Sequence, residues 1–181
     1  MRTADEEDVT AVLAGDVQRF EGIVHRWQRP LVNLAYRFIR DEAIAEDLAQ
    51  EAFLKCYRSL AQWRHDAQFS TWLFSVALSV YRSRLRRLEP IRESIQESTG
   101  EIESGELAID DTLAEKQRAE RVRRAVGALP PLFRDPLTVF YFQEQDLAST
   151  ATILGLREGT LKARLHRGRE ALRAMLSKES P

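Results

Sequence analysis

Between Glu89 and Glu115 the chain reads "EPIRESIQESTGEIESGELAIDDTLAE": nine acids, one base (Arg92) and no aromatic residue in 27 positions. Ordering a backbone is offset mainly by apolar burial, and this stretch has too little apolar surface to bury. It reads as a flexible acidic linker, with a solvated helical hairpin as the alternative. The 181-residue chain is therefore expected to fold as two small units, 1–88 and 116–181, rather than around one core. Few β-branched runs alternate, and Gly (8) and Pro (6) are sparse, so both units should be helical. The expected fold class is all-α: an N-terminal helical bundle and a C-terminal helix-turn-helix joined by residues 89–115.

With 44% hydrophobic and 30% charged residues the chain has the composition of a soluble globular protein. The single cysteine, Cys56, excludes an internal disulfide framework and fits a reducing compartment. The opening "MRTADEEDVT" is acidic where a signal peptide would be basic, and no apolar run reaches membrane-spanning length. A cytoplasmic location is expected. Net charge is only −1, so any affinity for nucleic acid must come from local patches.

One such patch lies in "GTLKARLHRGREALR", Gly159 to Arg173. At about 100° per residue from Leu161, Leu165 falls near 40° and Leu172 near 20°, with Gly168 between them, which defines a buried stripe. Lys162, Ala163, His166 and Arg167 fall between about 100° and 240°, on the opposite face. Upstream, "DLASTATILG" spaces Leu147, Ala151 and Leu154 for a short helix, with Asp146 as its N-cap. Gly155 and Leu156 then supply a turn and an apolar plug. A short helix, a Gly-containing turn and a helix with a basic outer face make a helix-turn-helix, whose second helix enters the major groove. An ordinary helical hairpin with a basic face is the plainer alternative. "ALPPLFRDPLTVFYF" should be the scaffold helix beside it. Pro131 suits a first helical position. Pro136 requires either a bend or a helix that starts at Asp135-Pro136.

In the first unit, "RDEAIAEDLAQEAFLKCYRSL" reads as one helix starting near Asp41. Leu48, Ala52 and Cys56 line one face, and Asp47, Gln50, Glu51 and Leu54 share the other. An exposed leucine among acids suits protein docking, although such faces are by default simply solvated. In "FSTWLFSVALSVYRSRLRR", Phe69, Trp72, Leu73, Val76, Ala77 and Val80 form an apolar face. The segment ends in Arg82, Arg84, Arg86 and Arg87. Aromatics beside a cationic helix suit unpaired DNA, bases stacking on rings while arginines hold phosphates. Trp72 reads first as core, and the arginines as favourable at a helix C-terminus. His25, His65 and His166 lack metal-ligand spacing, and no phosphate loop or catalytic triad is present. No enzyme activity, metal, cofactor or small-molecule substrate is expected.

Taken in order, these segments resemble a bacterial sigma factor of the extracytoplasmic-function group. "AEDLAQEAF" is similar to the family's core-polymerase-binding segment, and "FSTWLF" with "RSRLRR" to its promoter-opening and −10-reading segment. "LPPLFRDPL" and "ATILGLREGTLKARLHRGREALR" are similar to its −35-reading domain. The resemblance implies a transcription initiation factor that binds core RNA polymerase and promoter DNA. Asp47, Gln50 and Glu51, with Leu54 beside them, would dock on a coiled-coil of the β and β′ subunits. Phe69, Trp72, Ser79, Arg82, Ser83, Arg84, Arg86 and Arg87 would face −10 DNA. Lys162, Ala163, His166 and Arg167 would face the −35 element. It further implies a linker threading toward the polymerase cleft, a C-terminal unit docked on the flap, and an anti-sigma partner, often membrane-anchored.

Three departures from the family pattern stand out. Ser79 and Ser83 replace the usual Asn and Asp, and serine lacks the reach and bidentate geometry of Asn. Ser149-Thr150 replaces the usual Glu-Ile, which touches a phosphate-side network or the local core. Pro136 is the third. They motivate an alternative, a sigma-like decoy that binds an anti-sigma factor without reading DNA, although a decoy has no need of Lys162, His166 and Arg167. A stand-alone repressor would need a dimer interface, and no heptad seam is present to supply one.

Overall fold

The computed structural model describes residues 3–96, 113–142 and 145–178. Its described regular structure is entirely helical: α1 (Ala4–Leu13), α2 (Phe20–Ile39), α3 (Glu42–Ser59), α4 (Phe69–Gln96), α5 (Leu113–Ala128), α6 (Pro131–Phe142), α7 (Leu147–Leu154) and α8 (Glu158–Lys178). Short 3-10 turns precede α2 (Val17–Arg19) and follow α3 (Leu60–Gln62). The chain divides into two compact units between Glu101 and Ile102.

The expected linker 89–115 overlaps helix at both ends, since α4 runs to Gln96 and α5 opens at Leu113. Once a helix is nucleated on a packed turn, each further residue adds a hydrogen bond at little cost. Lack of apolar surface therefore does not stop a helix already started. Residues 97–112, the rest of the expected linker, lie outside the described residues.

In the first unit, α3 is the central packing element against both α2 and α4. Its inner seam is mostly small: Ala45, Ala49, Ala52 and Cys56 are buried beside Leu48 and Phe53. Leu31, Leu34, Ala35, Phe38 and Ile39 meet it from α2, and Leu73, Phe74, Ala77, Leu78, Tyr81 and Leu85 pack from α4. Each large aliphatic side chain so buried contributes about 1.5–3 kcal/mol. The buried Tyr81 hydroxyl donates to the Leu31 carbonyl at 3.0 Å, tying α4 to α2. Burial raises the ionisation of that phenol well above its usual range and pushes the Cys56 thiol up to about 12, so neither group is charged near neutrality.

α1 is held by charge as well as apolar contact. Thr3 and Glu6 form a reciprocal capping box, with Glu6 N donating to Thr3 Oγ1 at 3.3 Å and Thr3 N to Glu6 Oε2 at 3.0 Å. Asp8, 5% exposed, sits between Arg19 at 2.7 Å and Arg26. Arg26 Nε and Trp27 Nε1 both donate to Asp5 Oδ1, at 2.9 and 3.1 Å. A Cβ at Gly22 would lie 2.7 Å from Asp8 Oδ2, so a larger residue would push this carboxylate off its arginines. The acidic opening, read from sequence only as the wrong charge for a signal peptide, is thus a structural clamp.

In the second unit α8 packs on α6, with α5 and α7 closing the remaining sides. Leu161 and Leu165 are buried, and Gly168 marks the close approach: a Cβ there would be 3.1 Å from Leu137 Cδ1 and 3.3 Å from Phe133 Cβ. α6 begins at Pro131 and runs through a buried Pro136. A start at Asp135-Pro136 is therefore not what forms. The acceptor that Pro136 leaves without an N–H is the carbonyl of Leu132, an exposed residue of the first turn. Asp146 caps α7 by accepting from Ser149 N at 2.7 Å. Gly155 ends it in the left-handed region (φ 65°), with Leu156 N bonded to the Ala151 carbonyl at 2.9 Å.

Two expectations concern this unit. Thr150 is fully buried and its hydroxyl has no hydrogen-bond partner. Thr150→Val keeps the shape, removes the orphan oxygen, and should stabilise the unit by about 1–3 kcal/mol, read as a higher denaturant midpoint. An unchanged midpoint would mean that water satisfies the hydroxyl. The Asp146 carboxyl is held below its ordinary value of 3.8 by the Ser149 amide. Its stabilisation is complete above that ordinary value and lost as pH falls through the lowered one. Asp146→Asn keeps an acceptor without the charge, so its melting temperature should decline less than wild type between about pH 5 and pH 2.

Candidate nucleic-acid and polymerase-binding surfaces

The basic face of α8 forms because the apolar stripe has only one place to go. With Leu161, Leu165 and Gly168 turned onto α6, the residues on the far side of the helix stand in solvent. Lys162, Ala163, His166 and Arg167 are all exposed. Leu172, expected in the buried stripe, is only half-buried. His166 Nε2 lies 3.4 Å from Glu170 Oε1 one turn on, so an acid borders the basic surface. Arg169 Nη1 donates to the Tyr141 hydroxyl at 3.3 Å, fastening the later part of the same helix back to α6.

On α4 the structure redistributes the expected residues. Phe69 is 3% exposed and packs between Trp63 and Trp72, with ring centroids at 5.3 and 5.8 Å, so it supports the surface from beneath. Leu73, Ala77 and Val80 are buried with it. Trp72 and Val76 are only half-buried, which departs from the reading of both as core face. Taken at about 100° per residue, Trp72, Arg82, Ser83 and Arg86 lie within about 60° of Ser79. They form one open stripe along the helix. Arg84 and Arg87 are exposed but flank that stripe, at about 140° and 80°. An aromatic ring followed by hydroxyls and guanidiniums is a surface that suits a stacked base and a strand of phosphates.

Two features near this stripe were not legible in the sequence. Lys55, an exposed residue of α3, donates from Nζ to Ser79 Oγ at 2.7 Å. The segment before α4 carries His65 with φ 60°, its ring 3.9 Å from that of Trp63, while Trp63 Nε1 donates to the Ala67 carbonyl at 3.1 Å. Neither follows a helical period, so periodicity had no means of finding them.

The outer face of α3 matches its expectation. Asp47, Gln50, Glu51 and Leu54 are exposed, Leu54 at 57%. The apolar part of this surface is larger than periodicity suggested. Tyr57, 41% exposed, follows Leu54 by three residues and stacks edge-on against Phe20 at 5.2 Å. A half-exposed aromatic next to an exposed leucine, rimmed by acids, has the make-up of a protein contact.

Among the described residues no group of His, Cys, Asp or Glu side chains is placed to hold a metal ion. No helix among them is long and apolar enough to cross a membrane.

Comparison with known proteins places both units. Residues 23–90 match the family model for sigma-70 region 2, and residues 119–172 that for sigma-70 region 4. The first match spans α2, α3 and most of α4, and the second runs from α5 into α8. RNA polymerase sigma-H factor of Pseudomonas aeruginosa is 31% identical over 93% of this chain and 91% of its own length. ECF RNA polymerase sigma factor SigW of Bacillus subtilis is 30% identical over 93% and 94%. Among solved structures, CnrH in complex with the cytosolic domain of CnrY superposes with a TM-score of 0.71 at 21% identity, covering 98% of this chain and all of that one. The sigma factor RpoE in complex with the anti-sigma factor NepR from Bartonella quintana gives 0.65 at 21% identity, covering 88% and 98%. The two solved structures share the fold. The two family models, matching successive stretches of the chain, and curated relatives at 30% identity or more over 93% of it make this chain a member of the extracytoplasmic-function group of sigma-70 family sigma factors.

Proposed function

We propose that this chain is the promoter-specificity subunit of RNA polymerase for a limited set of genes, acting in the cytoplasm, and that its surfaces divide the work as follows. Asp47, Gln50, Glu51 and Leu54 dock on the β and β′ subunits of core polymerase. The stripe Trp72, Ser79, Arg82, Ser83 and Arg86, with Arg84 and Arg87 beside it, takes −10 DNA as it opens. Lys162, Ala163, His166 and Arg167 read the −35 element, the cations at base edges or phosphates and Ala163 giving close approach. The observation that carries the reading is the pair of exposed cationic helix faces, one in each family-matched unit. Each is too small to hold a promoter alone in a chain of net charge −1. Core polymerase would hold both at promoter spacing, so that the second contact becomes effectively intramolecular. An anti-sigma protein is the proposed regulator, supported by the presence of such a partner in the RpoE–NepR structure.

The decisive experiment is run-off transcription with footprinting on a genomic promoter library. Core polymerase plus this protein should initiate at defined sites, and the protein alone should leave no stable footprint. Failure to bind core polymerase would refute the proposal.

Arg167→Ala or Lys162→Ala should weaken −35 binding by about 1–3 kcal/mol if the residue touches a base. A phosphate contact would instead spread the loss over all sequences and flatten the salt dependence. Asp47→Lys should abolish core binding and leave the circular dichroism spectrum and melting temperature near wild type, because the position is exposed. A loss of folded signal in that variant would make Asp47 a structural residue instead.

A further inference from the structure

α1 is fastened to the first unit by charge more than by apolar contact. Its buried apolar side chains are Val9 and Val12 only, whereas two of its carboxylates reach across to α2. Each carboxylate ends on a residue that leads directly to one of the two helices with a proposed partner. Asp8 Oδ1 pairs with Arg19 at 2.7 Å. Arg19 is the N-cap residue of α2 and makes no side-chain capping bond, so this ion pair takes over the fixing of the chain's entry into the helix. The next residue, Phe20, sets its ring edge-on against Phe53 and Tyr57 of α3, with centroids at 6.4 and 5.2 Å. Tyr57 is the exposed aromatic of the proposed docking face. On the other arm, Asp5 Oδ1 accepts from Trp27 Nε1 at 3.1 Å, and the Trp27 ring meets Phe74 of α4 edge-on at 5.7 Å. Arg26 joins the arms, donating from Nε to Asp5 at 2.9 Å and pairing through Nη2 with Asp8.

We infer that Asp5 and Asp8 are positioning residues for the two partner surfaces of this unit. Asp8 acts through Arg19 and Phe20 on the polymerase-docking face of α3, and Asp5 acts through Trp27 on the DNA-reading stripe of α4. An edge-on ring pair tolerates several arrangements of similar energy. An ion pair on the residue beside the Phe20 ring, and a hydrogen bond on the Trp27 indole N–H, each select one of them. Phe74 is buried on the inner side of α4, so its contact with Trp27 bears on the rotation of the helix that presents Trp72, Ser79 and Arg82. Tyr57, resting on Phe20, meets a partner already ordered and loses less freedom on docking. α1, Arg19 and Phe20 all precede the stretch 23–90 that matches region 2. The inference rests on the proposed reading of α3 and α4 as the polymerase and −10 surfaces.

The test uses the full chain with core polymerase. Wild type, Arg19→Gln, Arg19→Lys, Trp27→Phe and Ile23→Val are compared in melting temperature, in affinity for core, and in −10 opening by saturating holoenzyme, read from permanganate reactivity of unpaired thymines. Arg19→Gln cuts the first arm without orphaning Asp8, which keeps Arg26. It should lower core affinity about fivefold, the equivalent of one partly exposed ion pair, and leave opening by saturating holoenzyme near wild type. Arg19→Lys should restore the affinity. Trp27→Phe keeps a ring against Phe74 but removes the N–H that Asp5 holds, so opening should fall while core affinity is kept. Ile23 is fully buried in the same helix between the two arms. Ile23→Val should therefore lower the melting temperature without either functional loss. Three results would overturn the inference: both readouts at wild-type level in Arg19→Gln and Trp27→Phe, a joint fall of both readouts that simply tracks melting temperature across all the variants, or no recovery in Arg19→Lys. Wild-type activity with variants that behave in any of these ways removes the role of α1 and leaves the reading of the protein standing. A wild-type chain that neither binds core nor opens a promoter removes both.

Discussion

One-sided burial is the constraint from which the surfaces of this protein follow. α3, α4 and α8 each lie against neighbours along one stripe only, and the opposite stripe is left in water by geometry. Small residues make the contact close where it matters. The Ala45–Ala49–Ala52–Cys56 seam lets α3 sit between α2 and α4, and Gly168 lets α8 approach the Cβ of Phe133. With the inner stripes held, the angular position of every outer residue is determined to within the pitch of a helix. The acids of α3, the open stripe of α4 and the basic face of α8 are thus products of packing.

The chain also shows how a nearly neutral protein can carry strong local fields. Its 27 cations and 28 acids are sorted by element. Acids cluster on the outer face of α3 and in the stretch after α4, and cations on the later turns of α4 and on α8. Some charges are removed from that surface display altogether. Asp5 and Asp8 neutralise Arg19 and Arg26 at the α1–α2 junction, where Asp8 is buried. Breaking such a pair from one side costs far more than the pair itself contributes, because a buried charge is left alone. That cluster holds α1 in register while the outward charges remain available for partners.

Three residues sit awkwardly in an otherwise regular helical design. Thr150, on the inner side of α7, puts an unpaired hydroxyl into the core. Ser79 donates a hydrogen bond to the Val76 carbonyl and accepts one from Lys55. Pro136 is absorbed in the first turns of α6 without ending it. None of these residues belongs to the Leu161–Leu165–Gly168 stripe that orients the basic face of α8.

Helical periodicity was legible in the residues themselves, and with it most of the architecture. Leu48, Ala52 and Cys56 against Asp47, Gln50, Glu51 and Leu54, and Leu161 and Leu165 against Lys162 and Arg167, are separations that a 3.6-residue period imposes whatever the neighbours are. Caps at Asp41, Asp146 and Gly155 are local chemistry and were equally readable. What needed the tertiary structure is whatever depends on a second element. Phe69 is buried where Trp63, from the segment before α4, packs on it, and Trp72 is left half-open. α4 runs on to Gln96 because a packed helix propagates past the composition that would have started it. Lys55 meets Ser79 across 24 residues of sequence. A period describes one helix at a time, whereas a contact between two helices depends on how they cross, and that is decided only when both are packed.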